Sequence, residues 1–284
     1  MNAGRFRQLL AALLLALSTA ACAAIERAAI PAPHPLGPDW GASAAPPGRV
    51  LDHDAWEGFL AGYLTTGTDG VTRIDYAAVT APDRAALQAY LDRLQAVPPA
   101  SLTRPQQLAY WINLYNAATV ALVLAHYPVA SIRDIDDGLL SFGPWDREVV
   151  AVAGRPLSLN DIEHRILRPF FDEPRIHYAL NCAAIGCPNL RPQAWRAEGL
   201  DTALDAAERA YVNDPRGVTV GPEGRLTLSK IWLWFRKDFG PDEAAVLDRL
   251  AARARPGLAA AIRMRGRVDG YDYDWSLNDS GSGS

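Results

Sequence analysis

Two cysteines and a histidine lie close together in the stretch from Arg175 to Pro188, in a chain of 284 residues that holds only five histidines and three cysteines. A cysteine becomes a nucleophile when its pKa is lowered and a base lies within hydrogen-bond reach. Cys182 is the candidate nucleophile in this stretch, and His177 is the candidate base. Their odd spacing places the two side chains on opposite faces of a straight strand, so a bulge or a turn has to bring them together.

The chain offers further groups for the same chemistry. Glu163 is expected to orient His177, and His164 is the replacement base. A developing oxyanion needs a hydrogen-bond donor, which a side-chain amide or the N–H groups of residues 183–186 could supply. The candidate substrate-binding residues are Asn113, Asn116, Asn181 and Lys230. Asn113 and Asn116 have a structural alternative, in which buried amides tie a central helix to a neighbouring loop.

The first 21 residues have the three parts of a secretory signal peptide. Arg5 and Arg7 precede a short apolar core, and small residues then lead directly to Cys22. This resembles a lipoprotein processing site, although Thr19 occupies the position where leucine is usual. We therefore expect export to the periplasm, with membrane contact only through a lipid on Cys22. The alternative is cleavage to a soluble periplasmic protein.

An oxidising compartment adds a second interpretation of the cysteines, because exported cysteines tend to pair. Cys182 and Cys187 are expected either to form a local disulfide, to remain as inert buried thiols, or to react as proposed above. A zinc site with His164 and His177 is a further option, but its spacing does not match a common structural finger. We therefore predict no metal and no cofactor.

Composition divides the chain into four parts. Residues 1–21 are the signal peptide, 22–49 a tether or loosely docked arm rich in proline and alanine, 50–278 a single globular domain, and 279–284 a flexible tail. The net charge of −4, with mixed signs along the chain, argues against a nucleic-acid partner. The expected partner is an envelope peptide, protein or small molecule.

Helical periodicity and hairpin signals follow one another without a regular β-α repeat. This order favours an α+β fold in which helices pack on a small, mostly antiparallel sheet. Pro105–His126 is predicted to be the central core helix rather than a membrane span, because its asparagines would be costly in lipid. Ile176–Asn181 is predicted to be a core strand. Other predicted helices cover residues 54–64, 83–97, 159–167, 201–212, 229–239 and 242–264, with a short strand at 71–76 and hairpins at 148–159 and 218–228.

Several blocks of the sequence resemble the domain of unknown function 547 family. They are YWINLYNA from Tyr110, SLNDIEHRIL from Ser158, RIHYALNC from Arg175 with the later Cys187-Pro188, LSKIWLWF from Leu228 with Asp238-Phe239, and the ending YDWSLN from Tyr273. The resemblance covers residues 50–278 and implies a fold similar to papain-like cysteine peptidases and transglutaminases. In the papain pattern the nucleophilic cysteine precedes the histidine, whereas here both candidate histidines come first. A papain-like arrangement would therefore require a permuted order or a different site.

Two functions follow from these observations. The first is a cysteine-dependent hydrolase or acyltransferase that acts on an amide, a peptide or an ester. The alternative is a non-enzymatic binding or scaffolding domain of the cell envelope, held by a Cys182–Cys187 disulfide. The surroundings of the Cys182 sulfur separate the two, since a nucleophile needs a histidine nitrogen beside it and a disulfide needs the second sulfur.

Overall fold

The computed structural model describes residues 30–46, 49–135 and 143–281. The predicted signal peptide, Cys22 and the last three residues of the predicted tail lie outside the described residues. The α-helices are α1 Asp54–Tyr63, α2 Ala81–Gln95, α3 Arg104–His126, α4 Arg168–Phe171, α5 Leu200–Val212, α6 Ile231–Trp234, α7 Arg236–Phe239, α8 Glu243–Arg253 and α9 Pro256–Arg265. The strands are β1 Leu64–Thr66, β2 Thr72–Ile74, β3 Glu148–Val152, β4 Arg155–Ser158, β5 Val218–Val220, β6 Leu226–Ser229 and β7 Gly270–Asp272.

Helix α3 is the centre of the fold. Pro105 occupies its first turn, where the missing N–H costs nothing. The Gln106 side chain accepts a hydrogen bond from the Thr103 N–H and so caps the start of the helix. Among the described residues, α3 is the one helix long and apolar enough to span a membrane, yet 89% of its apolar window is buried inside the protein. A helix that is apolar on all sides is typical of a core position.

The sheets are small, as the α+β prediction requires. Strands β1 and β2 form one antiparallel pair, and β3 and β4 form another. Strand β6 pairs with β5 in antiparallel orientation and with β7 in parallel orientation. The α+β class, with helices around small and mostly antiparallel sheets, is therefore confirmed.

A π-helix over Asp161–Leu167 replaces most of the helix predicted at 159–167. The Ser158 hydroxyl accepts from the Asp161 N–H, and the Asp161 carboxylate accepts from the Ser158 N–H, which fixes the start of this segment. Short π-helical segments are often found at functional sites.

The N-terminal arm, residues 30–46, packs on this π-helix. The N–H groups of His34 and Leu36 donate to the carbonyls of His164 and Arg165, at 3.2 and 3.0 Å. The Leu36 side chain is buried in the main core. Of the two alternatives for 22–49, residues 30–46 therefore form a docked arm rather than a tether, because the arm supplies hydrogen-bond donors to carbonyls of the π-helix.

The predicted core strand Ile176–Asn181 is also wrong. Pro174–Tyr178 forms a 3₁₀ helix, and the Glu173 side chain accepts a hydrogen bond from the N–H of its second residue. The alternation of apolar residues has another cause here. Ile176 belongs to one hydrophobic cluster and Tyr178 to the other, so His177 lies where the two clusters meet.

Two long helices predicted near the C-terminus are each divided in two. The first changes direction at Phe235, between α6 and α7. The second is interrupted before Pro256, because a residue that precedes proline disfavours the helical conformation. The predicted tail is wrong at its start: Asp279 is buried and pairs with Ile74 in a β-bridge.

Candidate functional site

A cleft of about 420 Å³ opens where the two hydrophobic clusters meet. All four residues proposed for cysteine chemistry border it, namely Glu163, His164, His177 and Cys182. The π-helix supplies the first two, the 3₁₀ helix supplies His177, and the loop that follows supplies Cys182. The fold thus brings together residues that the sequence analysis could group only by type.

His177 is held from three sides. Its ring stacks on Phe235 with the ring centroids 3.9 Å apart. Its Nε2 lies 2.8 Å from the Asp238 carboxylate, and its Nδ1 lies 3.4 Å from the Glu163 carboxylate. The second contact is too long for a well-formed hydrogen bond, and Nδ1 has no other partner within the described part of the chain. Both ring nitrogens therefore face carboxylates.

Arg168 fixes Asp238 in place. Its guanidinium donates to both carboxylate oxygens of Asp238, at 2.6 and 3.0 Å. Burial acts to raise the pKa of Asp238, but the hydrogen bonds from His177 and Arg168 outweigh it and hold that pKa below its usual range. The third contact of Arg168, to the carbonyl of Pro31, ties this ion pair to the N-terminal arm.

His164 is a neutral hydrogen-bond donor in this site. Burial lowers its pKa to about 4. A guanidinium group can donate hydrogen bonds but cannot accept them. Because the Arg168 guanidinium lies 3.1 Å from Nδ1 of His164, that nitrogen is the acceptor and the ring proton lies on Nε2. No described residue accepts from that Nε2, so it is available to a ligand in the cleft. This arrangement differs from the replacement base proposed for His164, since a base needs its free nitrogen unprotonated.

Glu163 is an ionised carboxylate. Burial acts to raise its pKa, but the nearby His164 and His177 rings and the Arg168 charge together lower it. Tyr115, from α3, places its hydroxyl 3.4 Å from the other carboxylate oxygen. The sequence analysis proposed that Glu163 alone orients His177. In the structure Asp238 also contacts the His177 ring, and its contact is the shorter of the two.

The Cys182 sulfur is bonded to that of Cys187, and their Cα atoms lie 6.2 Å apart. The Tyr273 hydroxyl lies 3.0 Å from the Cys182 sulfur and donates to the Cys187 sulfur at 3.1 Å. Neither nitrogen of His177 makes a described contact with either sulfur. The nucleophile–base pair proposed for Cys182 and His177 is therefore not formed in this oxidised state.

Aromatic rings form a further part of the cleft lining. Trp275 packs against Trp145, Trp234 and Tyr273, with ring centroids 6.1, 5.5 and 4.7 Å apart. The Arg133 guanidinium lies over the Trp275 ring at 5.3 Å. We call the four rings Trp145, Trp234, Tyr273 and Trp275 the aromatic wall. The three tryptophans are only partly buried, so they present apolar surface to the cleft.

Comparison with known protein families identifies part of this architecture. Residues 99–212 match the family described as protein of unknown function, DUF547. The match supports the predicted resemblance to this family over that part of the chain. The DUF547 match includes α3, the π-helix and the disulfide, whereas Asp238 and most of the aromatic wall lie beyond it. No curated protein and no solved structure matches the chain, so the papain-like fold remains a prediction.

Asn113 and Asn116, which the sequence analysis proposed as binding residues, lie outside the cleft lining. Asn113 both donates to the carbonyl of Trp195 and accepts from its N–H. Asn116 donates to the carbonyl of Ala179 and accepts from the N–H of Asn181. These contacts correspond to the structural alternative, in which the amides tie α3 to neighbouring loops. The amide groups of Asn113 and Asn116 therefore bind the protein backbone rather than a ligand.

Most of the remaining proposed donors also have partners outside the cleft. The Asn181 side chain donates to the carbonyl of Pro188 and accepts from the N–H of Ala183. The N–H groups of Ile185 and Gly186 donate to backbone carbonyls near the C-terminus, so they do not form an oxyanion hole. Lys230 precedes α6 and does not line the cleft.

Three residues of the site were missed by sequence reasoning: Arg168, Asp238 and Tyr273. Arg168 lies one helical turn after His164, a spacing that brings side chains together. Asp238 and Tyr273 both occur in the sequence blocks that carry the DUF547 resemblance. A role for them could have been suspected, but their partners are distant in sequence and only the fold reveals them.

Proposed function

We propose that this protein is a binding domain of the cell envelope that takes a small organic ligand in the cleft. The observation that carries the proposal is that one cavity is lined both by the aromatic wall and by two polar groups, the Glu163 carboxylate and the His164 imidazole. Binding sites for small molecules typically combine apolar walls with a few convergent polar groups.

The chemistry of these lining groups describes the ligand. An aromatic ring, or the apolar C–H face of a sugar ring, would lie against the tryptophans. A hydroxyl or amide group on that ring would donate to Glu163 and accept from His164. A strongly anionic ligand fits less well, because the ionised Glu163 carboxylate would repel it.

Ligand-observed NMR tests this proposal. The probes are soluble fragments in which a phenyl, an indole or a pyranose ring carries amide or hydroxyl groups. We expect at least one fragment to bind the oxidised protein and to lose about tenfold in affinity with Trp234→Ala, because a large part of its apolar contact is removed. Met264→Ala is the matched control, since Met264 is an exposed apolar residue outside the cleft. Equal binding by both variants, or no binding by the wild type, would contradict the proposal.

A cysteine hydrolase or acyltransferase is the second candidate, favoured by the position of Cys182 in the same cleft as two imidazoles. A disulfide sulfur is not the nucleophile of such an enzyme, so this activity would require prior reduction and a rearranged His177. Release of nitrophenol from p-nitrophenyl acetate, with and without reductant, tests it. Turnover that appears only after reduction and is lost in Cys182→Ala would support this candidate. Reduced protein with no turnover above that variant would argue against it.

A further inference from the structure

We infer that Cys182 and Cys187 are a redox-active pair that exchanges with a thiol entering the cleft. The inference is independent of the ligand proposed above. It depends on three features of the disulfide: the unequal exposure of its sulfurs, the hydrogen bonds to one of them, and the support of its loop by other contacts.

The two cysteines differ in accessibility. Both cysteines line the cleft, but Cys182 is partly exposed whereas Cys187 is only 1% exposed. Exchange begins when a thiolate attacks one sulfur of the disulfide, and access decides which sulfur is attacked. An incoming thiol therefore meets Cys182 first, and Cys187 is the leaving group.

The leaving sulfur already has hydrogen-bond donors. The N–H of Cys182 donates to the Cys187 sulfur at 3.0 Å, and the Tyr273 hydroxyl, which lies 3.0 Å from the Cys182 sulfur, donates to the Cys187 sulfur at 3.1 Å. Burial raises the pKa of Tyr273 well above its usual value, so this hydroxyl keeps its proton. Donors to a sulfur favour its thiolate, and a stabilised thiolate leaves faster.

The loop between the cysteines does not depend on the disulfide for its shape. The N–H groups of Ile185 and Gly186 donate to the backbone of the C-terminal segment at 2.8 Å. The Tyr211 hydroxyl donates to the Gly186 carbonyl, and Arg216 donates to the carbonyls of Ile185 and Cys187. The S–S bond can therefore open without releasing the loop, and both redox states are expected to stay folded.

The exchange proceeds in two steps. A thiolate of the reductant attacks the Cys182 sulfur; the S–S bond breaks, a mixed disulfide forms on Cys182, and Cys187 leaves as a thiolate. A second thiolate of the same reductant attacks the reductant sulfur of that mixed disulfide and releases the oxidised reductant with a Cys182 thiolate. The two cysteine thiolates then take up two protons from water. Two thiols have been oxidised to one disulfide, and the protein disulfide has been reduced to two thiols.

Reduction by glutathione tests the inference, with Cys22→Ser in every chain so that only the cleft sulfurs react. We expect folded protein to equilibrate reversibly in glutathione buffers. Tyr273→Phe, which removes only the hydroxyl, should slow reduction about tenfold, because the leaving thiolate loses a donor. Tyr63→Phe is the matched control, since Tyr63 also donates through its hydroxyl but lies outside the cleft. A disulfide reduced only after unfolding, or an unchanged rate in Tyr273→Phe, would overturn the inference.

Single-cysteine variants give a second measurement that does not depend on Tyr273. Cys187→Ser leaves the exposed sulfur, and Cys182→Ser leaves the buried one. With dithionitrobenzoate, Cys187→Ser should form the mixed disulfide at least about tenfold faster than Cys182→Ser, because reactivity follows exposure and thiolate character. Equal rates would contradict the assignment of Cys182 as the attacked sulfur.

Discussion

Replacement of His164 by glutamine should make the protein less sensitive to mild acid. The pKa of His164 falls from 6.5 in a solvated chain to about 4 in the fold, because burial disfavours the charged ring. Between these two values the unfolded chain binds a proton that the folded protein does not. Lowering the pH from 7 therefore favours the unfolded state, and the stability that neutral His164 contributes is progressively lost towards pH 4.

The size of this effect follows from the two pKa values. One unit of pKa difference corresponds to about 1.4 kcal/mol between the two protonation states. With values of 6.5 and about 4, the linkage relation gives a loss of about 2 kcal/mol between pH 7 and pH 5. A glutamine side chain has no proton to gain in this range, so this part of the acid sensitivity should be absent from the His164→Gln variant. The amide oxygen of the glutamine can still accept from Arg168, which limits other damage.

Urea unfolding at pH 7, 6 and 5 measures the difference, with the disulfide kept oxidised. Wild-type protein should lose about 2 kcal/mol more than His164→Gln between pH 7 and 5. Burial also lowers the pKa of His53 to about 4. His53 is present in both proteins, so its effect cancels from the comparison. His34→Gln is the control because His34 is exposed, and it should behave like the wild type. An equal acid loss in wild type and His164→Gln would refute the assignment of His164 as a buried neutral ring.

Two further predictions concern buried polar contacts. Asp238→Ala leaves the Arg168 guanidinium buried without its carboxylate, so the free energy of unfolding should fall by about 3–5 kcal/mol at pH 7. A loss under about 1 kcal/mol in urea unfolding would show that solvent reaches this charge. Asn116→Ala removes the partners of two buried backbone groups in the segment before Cys182 and should cost at least about 2 kcal/mol. Wild-type stability in that variant, by the same measurement, would argue against the tie between α3 and this segment.

Local sequence signals predicted most of the secondary structure. The β3–β4 hairpin was expected because Ala153-Gly154 interrupts two β-rich runs, and both turn residues adopt positive φ. The central helix was expected from its length, its apolar content and its proline start. The error at Ile176–Asn181 has a physical cause: alternation of apolar residues predicts a strand, but here it reflects contacts with two separate cores. Hydrophobic periodicity alone does not distinguish these cases.

The sequence predicted which residues belong to the candidate site, but not which of them contact one another. The sequence placed Cys182, His177, Glu163 and His164 in one hypothesis, and the fold does gather them around one cleft. Which group contacts which depends on residues far apart in the chain, such as Asp238 beside His177. Local spacing carries no information on such contacts.

The polar network and the disulfide have separate roles in this arrangement. Arg168, Asp238, His177 and Glu163 form a connected polar chain, in which the His177 ring lies between the two carboxylates. Because these side chains bind one another, they are well suited to hold the two hydrophobic clusters together. They are poorly suited to take a proton from a sulfur. The cleft-facing sulfur pair instead has Tyr273 as its hydrogen-bonding partner. The imidazoles therefore shape the cleft, and any covalent chemistry is expected at the disulfide.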